Sequence, residues 1–387
     1  MRIRKNVKSL SSVEKTNFVN AVLALKQRPS TLHPSDTSMT RYDDFVETHM
    51  KAMNAQSNTD PTTDPNWLPG WAHQGPAFFP WHRELLLQFE NELQAVDSTV
   101  TIPYWDWTDN SSWPFTPDFM GSDGDKTDPQ DPLKVNDGPF AIDGPNHWTL
   151  NMTDSDPQGN SGPNYLQRGF GRDRSAKKLP TATNIQSAKQ KTPYDSPPWK
   201  YTSDGFRTMV EYPIHNLVHR YVNGTMSLMA SPNDPVFWLH HCNIDRLWGD
   251  WQRLHLTEAP YLPTQGGTLG HNLNDTLIFN TDPPPPWAGS VTPAMLIDHH
   301  MLGYSYESDP PQIAPIVRAA PSISKSEQSV KHVIPVFPLM SEIKLISRRR
   351  PQRKIMRMKR KRLSKKVVSK KGKRRINKRS TKGTQVK

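Results

Sequence analysis

The chain has 387 residues, of which 34% are hydrophobic and 37 are prolines, so it is long enough for one large domain or for two domains rich in loops. Its single cysteine, Cys242, excludes an internal disulfide framework. The net charge of +12 is unevenly distributed: residues 341–387 hold 22 Lys or Arg against one acid, and the remainder holds 27 basic and 36 acidic residues. This excludes a uniformly basic protein and indicates an acidic globular part with a basic tail.

Three helices are predicted in the N-terminal part of the chain. Residues 11–26 combine a polar start with apolar residues at helical spacing. Residues 42–53 form the second predicted helix and carry His49. The third begins near Pro80, and its apolar face follows His82.

The middle of the chain is less regular. Residues 102–107 are aromatic and interrupted by proline, which predicts a buried extended stretch. Residues 108–198 are dominated by Pro, Gly, Asp and Asn, so we expect surface loops with little regular structure. Helical spacing returns over 206–222 and 241–256, and residues 302–306 are typical of a strand.

Composition divides the chain into three parts. Residues 1–306 form the expected globular domain, 307–340 a linker, and 341–387 a basic tail whose like charges favour disorder. We find no pattern of a signal peptide or a membrane span, so we expect a protein that is cytoplasmic or exported with a partner.

Histidines recur at spacings that place them together. His215 and His219 are four residues apart, so a helix presents both rings on one face. Asp245 follows His241 by one helical turn, where a carboxylate can accept a hydrogen bond from the ring of a metal ligand. Each pair alone is common in proteins without metal, but several imidazoles in one chain favour copper or another borderline metal.

Two longer patterns resemble the copper-binding signatures of the tyrosinase family. The first runs from His73 through Phe78-Phe79 and Trp81 to His82-Arg83, and the second from Asp234-Pro-Val-Phe-Trp to His241 and Asp245. The start of the chain, the Tyr104-Trp-Asp-Trp107 stretch and residues 302–306 also resemble bacterial tyrosinases. The likeness covers residues 1–306 and does not include the tail.

The resemblance implies a mainly α fold, in which a central antiparallel four-helix bundle holds a dicopper site among long irregular loops and few short strands. It implies three histidines on each of two copper ions, with dioxygen as co-substrate: His49, His73 and His82 on the first, and His215, His219 and His241 on the second. His33 is the alternative to His49, but it precedes Pro34 in a loop.

Three further residues lie beside the implied ligands. We expect His240 and Asp245 to support the copper ligands from outside rather than to bind metal. A thiolate ligand would disfavour Cu(II), and Cys242 follows a ligand directly on a helix, so we expect it to point elsewhere.

The implied reactions are ortho-hydroxylation of monophenols and oxidation of o-diphenols to o-quinones, as in melanin formation. Hydroxylation requires the phenol to lose its proton, and in the family an Asn after the first histidine of the second site, together with an upstream Glu, holds a water for this purpose. Asn216 matches the Asn, and Glu211 is the carboxylate near it, although the interval is shorter than in bacterial members. A solvated Glu211 on the helix surface remains an alternative.

The resemblance also implies residues that contact the substrate. Phe237 corresponds to an aromatic side chain near the second copper, Met229 to a residue at the mouth of the pocket, and Arg220 to a residue over the entrance. Ordinary apolar packing for Phe237 and Met229, and an exposed arginine without a role for Arg220, are the alternatives.

Several functions and partners remain open at this point. A catechol oxidase without hydroxylase activity and a hemocyanin-like oxygen-binding protein share the implied copper chemistry. The partners implied are a small phenolic substrate and a copper-delivery caddie protein. The basic tail is consistent with binding an acidic surface, with covering the active site, or with a solvated extension that has no specific partner.

Overall fold

The computed structural model describes residues 1–53, 64, 66–154 and 162–310. In these ranges the chain is mainly helical, which confirms the predicted fold class. The α-helices are α1 (Ser12–Leu25), α2 (Arg41–Met53), α3 (Phe78–Gln94), α4 (Ala182–Lys189), α5 (Phe206–Val210), α6 (Asn216–Val222) and α7 (Val236–Leu254). The strands are β1 (Arg2–Arg4) and β2 (Tyr304–Tyr306).

The predicted helix over 11–26 is present as α1, and its start is set by a reciprocal cap. The Ser11 side chain accepts a hydrogen bond from the Glu14 N–H, and the Glu14 carboxylate accepts one from the Ser11 N–H. Val22 and Leu25 are fully buried, which shows the face that α1 packs against the core.

Two helices begin earlier than predicted. Helix α3 begins at Phe78, because Pro80 then falls in the first turn, where a residue without an N–H is tolerated. Helix α7 begins at Val236 rather than near residue 241. The carboxylate of Asp234 accepts a hydrogen bond from the Val236 N–H at 3.1 Å and is itself held by Arg168 at 2.8 Å, so the helix start is buried and satisfied.

The helix predicted over 206–222 is interrupted by one wide turn. Helices α5 and α6 are joined by a π-helical segment, Glu211–His215, in which the Asn216 N–H bonds to the Glu211 carbonyl five residues back. Pro213 lies inside this segment and has no N–H to offer a regular α-helix. Such wide turns often occur at functional sites, and this one sets where His215 points.

The expectation of little regular structure over 108–198 is wrong in one place. Helix α4 lies within this range and is capped by Thr181 and Asn184, whose side chains bond reciprocally to the backbone. Most of its residues are exposed and only Ala188 is buried, so the helix lacks the apolar stripe from which a helix is normally recognised.

The two ends of the described chain meet in a small parallel sheet. Strand β1 pairs with β2 in the register Arg2 with Tyr304 and Arg4 with Tyr306. Pairing places the buried Arg4 guanidinium over the Tyr304 ring, with 3.7 Å between the arginine Cζ and the ring centroid. The packing continues past β2, because the Glu307 N–H bonds to the Arg4 carbonyl at 3.0 Å.

Asp245 on α7 joins this sheet to the helical core. Its buried carboxylate accepts hydrogen bonds from Arg83 on α3 and from Arg4, and from the hydroxyls of Tyr304 and Tyr306. Burial alone would raise the pKa of Asp245, but Arg83 and Arg4 lower it below its usual value. The carboxylate is therefore ionised in the folded protein and holds α3, α7 and both strands together.

The linker over 307–340 and the tail over 341–387 lie outside the described residues, apart from residues 307–310. Among the helices that the structure describes, none is long and apolar enough to cross a lipid bilayer.

Replacing the central carboxylate tests its structural role. We expect Asp245→Asn to lower the free energy of unfolding of the metal-free protein by about 3–5 kcal/mol at neutral pH, because two buried guanidinium groups lose their counter-charge. Urea unfolding followed by fluorescence measures the loss. Asp118→Asn, at an exposed carboxylate, serves as the matched control and should unfold like the wild type.

The contribution of Asp245 to the free energy of unfolding depends on pH in a defined direction. The folded-state pKa of Asp245 is depressed, so its contribution is present above the usual carboxyl pKa and is lost as pH falls through the lower folded value. The difference in free energy of unfolding between the wild type and Asp245→Asn should therefore become smaller at acid pH. A difference that is absent at neutral pH, or that grows in acid, would contradict this role.

Candidate metal centre

Three histidines from separate segments meet at the first candidate site. His49 lies on α2, His82 in the first turns of α3, and His73 in the loop before α3. One ligand atom from each ring lies within 4.8 Å of the others, and all three residues are buried. The structure therefore brings together the three histidines that the resemblance implies for the first copper.

A second set lies on the helices that follow. The Nε2 atom of His241 on α7 is 3.3 Å from Nε2 of His215 and 3.4 Å from Nε2 of His219 on α6. Neighbouring ligand atoms on one metal ion have such separations when the metal–nitrogen bonds are about 2.0–2.1 Å. The two sets are adjacent, because the rings of His82 and His241 stack with centroids 4.3 Å apart.

Backbone carbonyls orient three of the rings. The Nδ1 atoms of His49, His82 and His219 lie 2.9, 2.7 and 2.6 Å from the carbonyl oxygens of Met229, Phe78 and Met226, respectively. A carbonyl oxygen only accepts, so each Nδ1 carries the proton and each Nε2 presents a lone pair. Nε2 of His49 and of His82 are buried without a hydrogen-bond partner in the described structure, as expected for atoms that face a metal.

The electrostatics of both sets suit copper. Burial lowers the pKa of His49 to about 3 and that of His219 to about 4, so these rings are neutral at physiological pH and free to bind metal. Neither cluster contains a carboxylate or a thiolate among the described residues. Ligands that are all imidazole favour copper over hard cations such as magnesium.

His240 lies closer to the second set than expected. Its ring is 4.8 Å from that of His219 and 5.1 Å from that of His215, and one of its nitrogens belongs to the same 4.8 Å cluster. Both of its nitrogens are buried without a partner in the described structure. The Nε2 contacts with His215 and His219, however, are made by His241 and not by His240.

The expected hydrogen bond from His241 to Asp245 is not formed, so that part of the sequence interpretation is wrong. Nδ1 of His241 has no partner in the described structure. The carboxylate of Asp245 turns instead toward Arg4, Arg83 and the tyrosines of β2, because a buried anion gains more from two guanidinium groups than from a neutral ring.

Two residues with ligand chemistry lie outside both sets. Nε2 of His33 is 2.5 Å from the Glu47 carboxylate and is not part of the first cluster. The thiol of Cys242 contacts the Ile102 carbonyl at 3.3 Å, and burial raises its pKa to about 12, so it is a neutral thiol that faces the core.

An open cavity of about 310 Å³ leads to the histidines. Its walls include Asn216 and Arg220, as expected, and four of the six candidate ligands. Arg220 is partly exposed, and its Nε lies 3.1 Å from the Asp173 carboxylate, which fixes the guanidinium at the rim. Sequence reasoning missed further lining residues, which have no distinctive spacing: Met53, Tyr212, Met226, Ser227, Leu228 and Ser231.

Phe237 and Met229 are not among the residues that line this cavity. Phe237 is fully buried, and its ring centroid is 4.1 Å from that of His241 and 4.9 Å from that of His49. Met229 takes part through its backbone, because its carbonyl binds His49 and its N–H bonds to Asp154 at 2.6 Å. Both residues therefore position histidines.

Glu211 is buried beside the first set. One carboxylate oxygen accepts the Gln74 N–H at 2.6 Å, directly after His73, and the other lies 2.9 Å from Arg207. Burial raises the pKa of Glu211 to about 7 even though Arg207 opposes the shift. Asp195 in turn holds Arg207 at 2.8 Å. The sequence analysis did not identify Arg207, and its spacing of four residues before Glu211 is the signal that could have revealed this pair.

The loop that carries His73 is also fixed from a distant segment. The Ala77 N–H bonds to Nδ1 of His271 at 3.2 Å. A Cβ at Gly75 would lie 2.8 Å from Cε1 of His271, so only glycine permits this approach. His271 is 194 positions from Ala77, and no sequence spacing could have revealed it.

Comparison with known proteins agrees with this geometry. Residues 39–254 match the family model described as the common central domain of tyrosinase. The chain is 40% identical to a tyrosinase of Streptomyces antibioticus over 308 residues, which cover 77% of this chain and 97% of that protein. It is 36% identical to grixazone synthase of Streptomyces griseus over 340 residues, which cover 79% and 99%, respectively.

Among solved structures, a polyphenol oxidase of Thermothelomyces thermophila has a similar fold, with a TM-score of 0.56 and 24% identity over 79% of this chain and 88% of that one. The matched family model spans all six candidate ligands, from His49 to His241, together with both copper signatures. The chain therefore belongs to the tyrosinase family of dicopper oxidoreductases that act on phenols.

Proposed function

We propose that the chain hydroxylates monophenols to o-diphenols and oxidises o-diphenols to o-quinones with dioxygen. The observation that supports this most directly is the pair of adjacent sets of three imidazoles beneath an open cavity. A cavity of about 310 Å³ is large enough for a single phenolic ring with a short substituent.

In this proposal His49, His73 and His82 hold one copper ion, and His215, His219 and His241 hold the other. Bound copper supplies the redox chemistry that activates dioxygen and accepts electrons from the phenol. The protein contributes rigid ligands, since carbonyl contacts at Nδ1 fix three of the rings before any metal binds.

We assign the removal of the phenol proton to Asn216 and Glu211 acting through a water molecule. Asn216 lines the cavity, and its Oδ1 lies 2.9 Å from Nδ1 of His215, so its amide N–H remains available to a water. Each carboxylate oxygen of Glu211 has a second lone pair beyond its contact with Gln74 or Arg207. A carboxyl group whose pKa is about 7 matches the demands of a general base at neutral pH.

We assign substrate contact at the rim to Arg220, which Asp173 holds in place. Phe237 and Met229 act on the substrate indirectly. Phe237 supports the rings of His49 and His241, and the Met229 backbone orients His49.

Removing one ligand from each set tests the copper assignment. We expect His82→Ala and His241→Ala each to bind about one copper per chain instead of two and to lose oxidation of both tyrosine and DOPA, because each variant keeps only two of the three imidazoles assigned to that ion. Metal analysis after dialysis gives the stoichiometry. His33→Gln, at a histidine outside both sets, should retain both metals, and full copper content in either alanine variant would refute the assignment.

Substitutions at Glu211 and Asn216 separate the hydroxylation of monophenols from the oxidation of o-diphenols. We expect Glu211→Gln and Asn216→Ala to lower tyrosine hydroxylation by about 10²–10⁴-fold relative to DOPA oxidation, because removal of the monophenol proton is the step that we assign to this pair. Initial rates with each substrate, together with copper content, measure the ratio, and Glu258→Gln is the surface control.

Two results would change the conclusion. Equal losses with both substrates, accompanied by copper loss, would make Glu211 a residue that only positions the His73 loop. Colour with DOPA but none with tyrosine in the wild type would identify a catechol oxidase, and no turnover of either substrate by the copper-loaded protein would favour an oxygen-binding protein.

We further propose that a caddie protein delivers copper to this chain, as the resemblance to bacterial tyrosinases implies.

We also propose that the tail over 341–387 attaches the catalytic domain over 1–306 to an acidic surface through the linker over 307–340. The support is the charge of the tail, with 22 Lys or Arg against one acid. Removal of residues 341–387 should leave DOPA turnover unchanged and abolish salt-sensitive binding to anionic lipid vesicles. Equal vesicle binding by both forms would refute the attachment.

A further inference from the structure

A second group of metal-ligating side chains lies outside the paired histidine centre. Asp298, His299 and His300 form a tight turn before β2, and Asp309 follows β2 and folds back onto them. One ligand atom from each of Asp298, His299 and His300 lies within 4.8 Å of the others. The function proposed above does not use any of these side chains.

Both imidazoles face one carboxylate oxygen. Oδ2 of Asp309 lies 2.9 Å from Nε2 of His299 and 3.3 Å from Nε2 of His300, and the two rings have centroids 4.0 Å apart. Ligand atoms on a common zinc or copper ion, with bonds of about 2.0–2.1 Å, lie about 2.9 Å apart at a right angle and about 3.4 Å apart at the tetrahedral angle. The observed separations match these values.

One ring nitrogen of this group makes no hydrogen bond among the described residues. Nδ1 of His300 lies 3.2 Å from the Asp298 carboxylate, which only accepts, so the proton of a neutral ring is on Nδ1. Nε2 of His300 then carries a lone pair and lies 3.3 Å from Oδ2 of Asp309 without being aligned for a hydrogen bond, while that oxygen accepts the Tyr306 N–H at 2.8 Å and contacts the His299 ring. This lone pair has no hydrogen-bond partner among the described residues and is therefore available to a cation.

The surroundings favour a cation. Asp298 and His300 form the carboxylate–histidine pair that often orients a ligand ring behind a metal. His299 is buried against Gly249 of α7, where a Cβ would lie 3.0 Å from its Cε1, so the bare backbone leaves room for the ring. An open cavity of about 360 Å³ reaches His300 and Asp309 and gives an ion access.

Asp309 itself is held as an anion. Arg253 lies 2.7 Å from its Oδ1 as an ion pair, although neither atom is aligned for a hydrogen bond. This leaves Oδ2 as the oxygen directed at the two imidazoles.

We propose that His299, His300 and Asp309 form a binding site for one borderline divalent cation, zinc or copper, separate from the paired histidine centre. Two imidazoles and one carboxylate are typical ligands of these ions, and exposed Asp298 orients His300 from outside. The ion fastens the end of β2 to the turn before it. Because Tyr304 and Tyr306 of β2 hold Asp245, metal at this site stabilises the whole sheet.

Zinc binding to the full chain loaded with about two equivalents of copper tests the proposal, because the paired centre is then filled without excess copper to occupy the third site. We expect one zinc ion per chain beyond copper by metal analysis, with a zinc-dependent rise in unfolding temperature. His300→Asn should lose the zinc and the rise, and Asp298→Asn should bind zinc roughly 10–100-fold more weakly. His147→Asn is the matched control, since this exposed histidine has a positive φ that asparagine tolerates.

Asp298→Asn changes an exposed side chain and so keeps the test valid if His300→Asn fails to fold. DOPA turnover should remain unchanged in both variants, which separates this site from the paired centre. Absence of zinc from the wild-type protein, or equal zinc affinity in wild type and both variants, would overturn the proposal and leave the group as a turn held by hydrogen bonds and ion pairs.

Discussion

The structure depends on one buried carboxylate placed between two buried guanidinium groups. Asp245 lies one helical turn after His241, and Arg83 directly follows His82, so their ion pair fixes the two helices that carry a histidine of each set. Arg4 extends the contact to the N-terminal strand. Isolated charges in this position would cost several kcal/mol each, and the mutual pairing offsets that cost only while every partner stays in place. The spacing of the two metal sets is therefore coupled to the pairing of β1 with β2.

This coupling explains how neutral imidazoles can be assembled before metal arrives. The six rings, of which only that of His219 is partly exposed, repel one another when charged, and desolvation lowers the pKa of each, so the folded protein presents them unprotonated. Three rings then receive their orientation from backbone carbonyls, including that of Met229. A contact through the Met229 carbonyl depends on the main chain of that residue and not on its side chain. The identity of residue 229 therefore matters less to His49 than the path of the loop that contains it.

Local sequence patterns predicted most helices, and the resemblance to the tyrosinase family implied the fold class and the histidines that converge. The i, i+4 pair His215 and His219 and the two signatures describe contacts made within one or two helical turns. The partners of Asp245 were not predictable, since Arg4 is 241 positions away and Tyr304 is 59 positions away. The i, i+4 rule pointed from Asp245 to His241, and long-range charge pairing overrode it. The wide turn at Glu211–His215 was missed for a different reason, because Pro213 breaks a helix without showing whether the chain kinks or widens.

That wide turn bears on the shortened interval between Glu211 and His215. A regular α-helix would place Glu211 one turn before His215 on the same face, directed at the metal ligands. The π-helical turn rotates the two residues relative to each other, and Glu211 reaches the His73 loop through the Gln74 N–H while Arg207 holds its other oxygen. The carboxyl group thus connects the second-site helix to a first-site ligand. Its raised pKa, about 7, results from burial against an incomplete counter-charge. Glu211 can both position the His73 loop and transfer a proton. Its contacts with Gln74 and Arg207 use one lone pair on each carboxylate oxygen, and a second lone pair on each oxygen remains free.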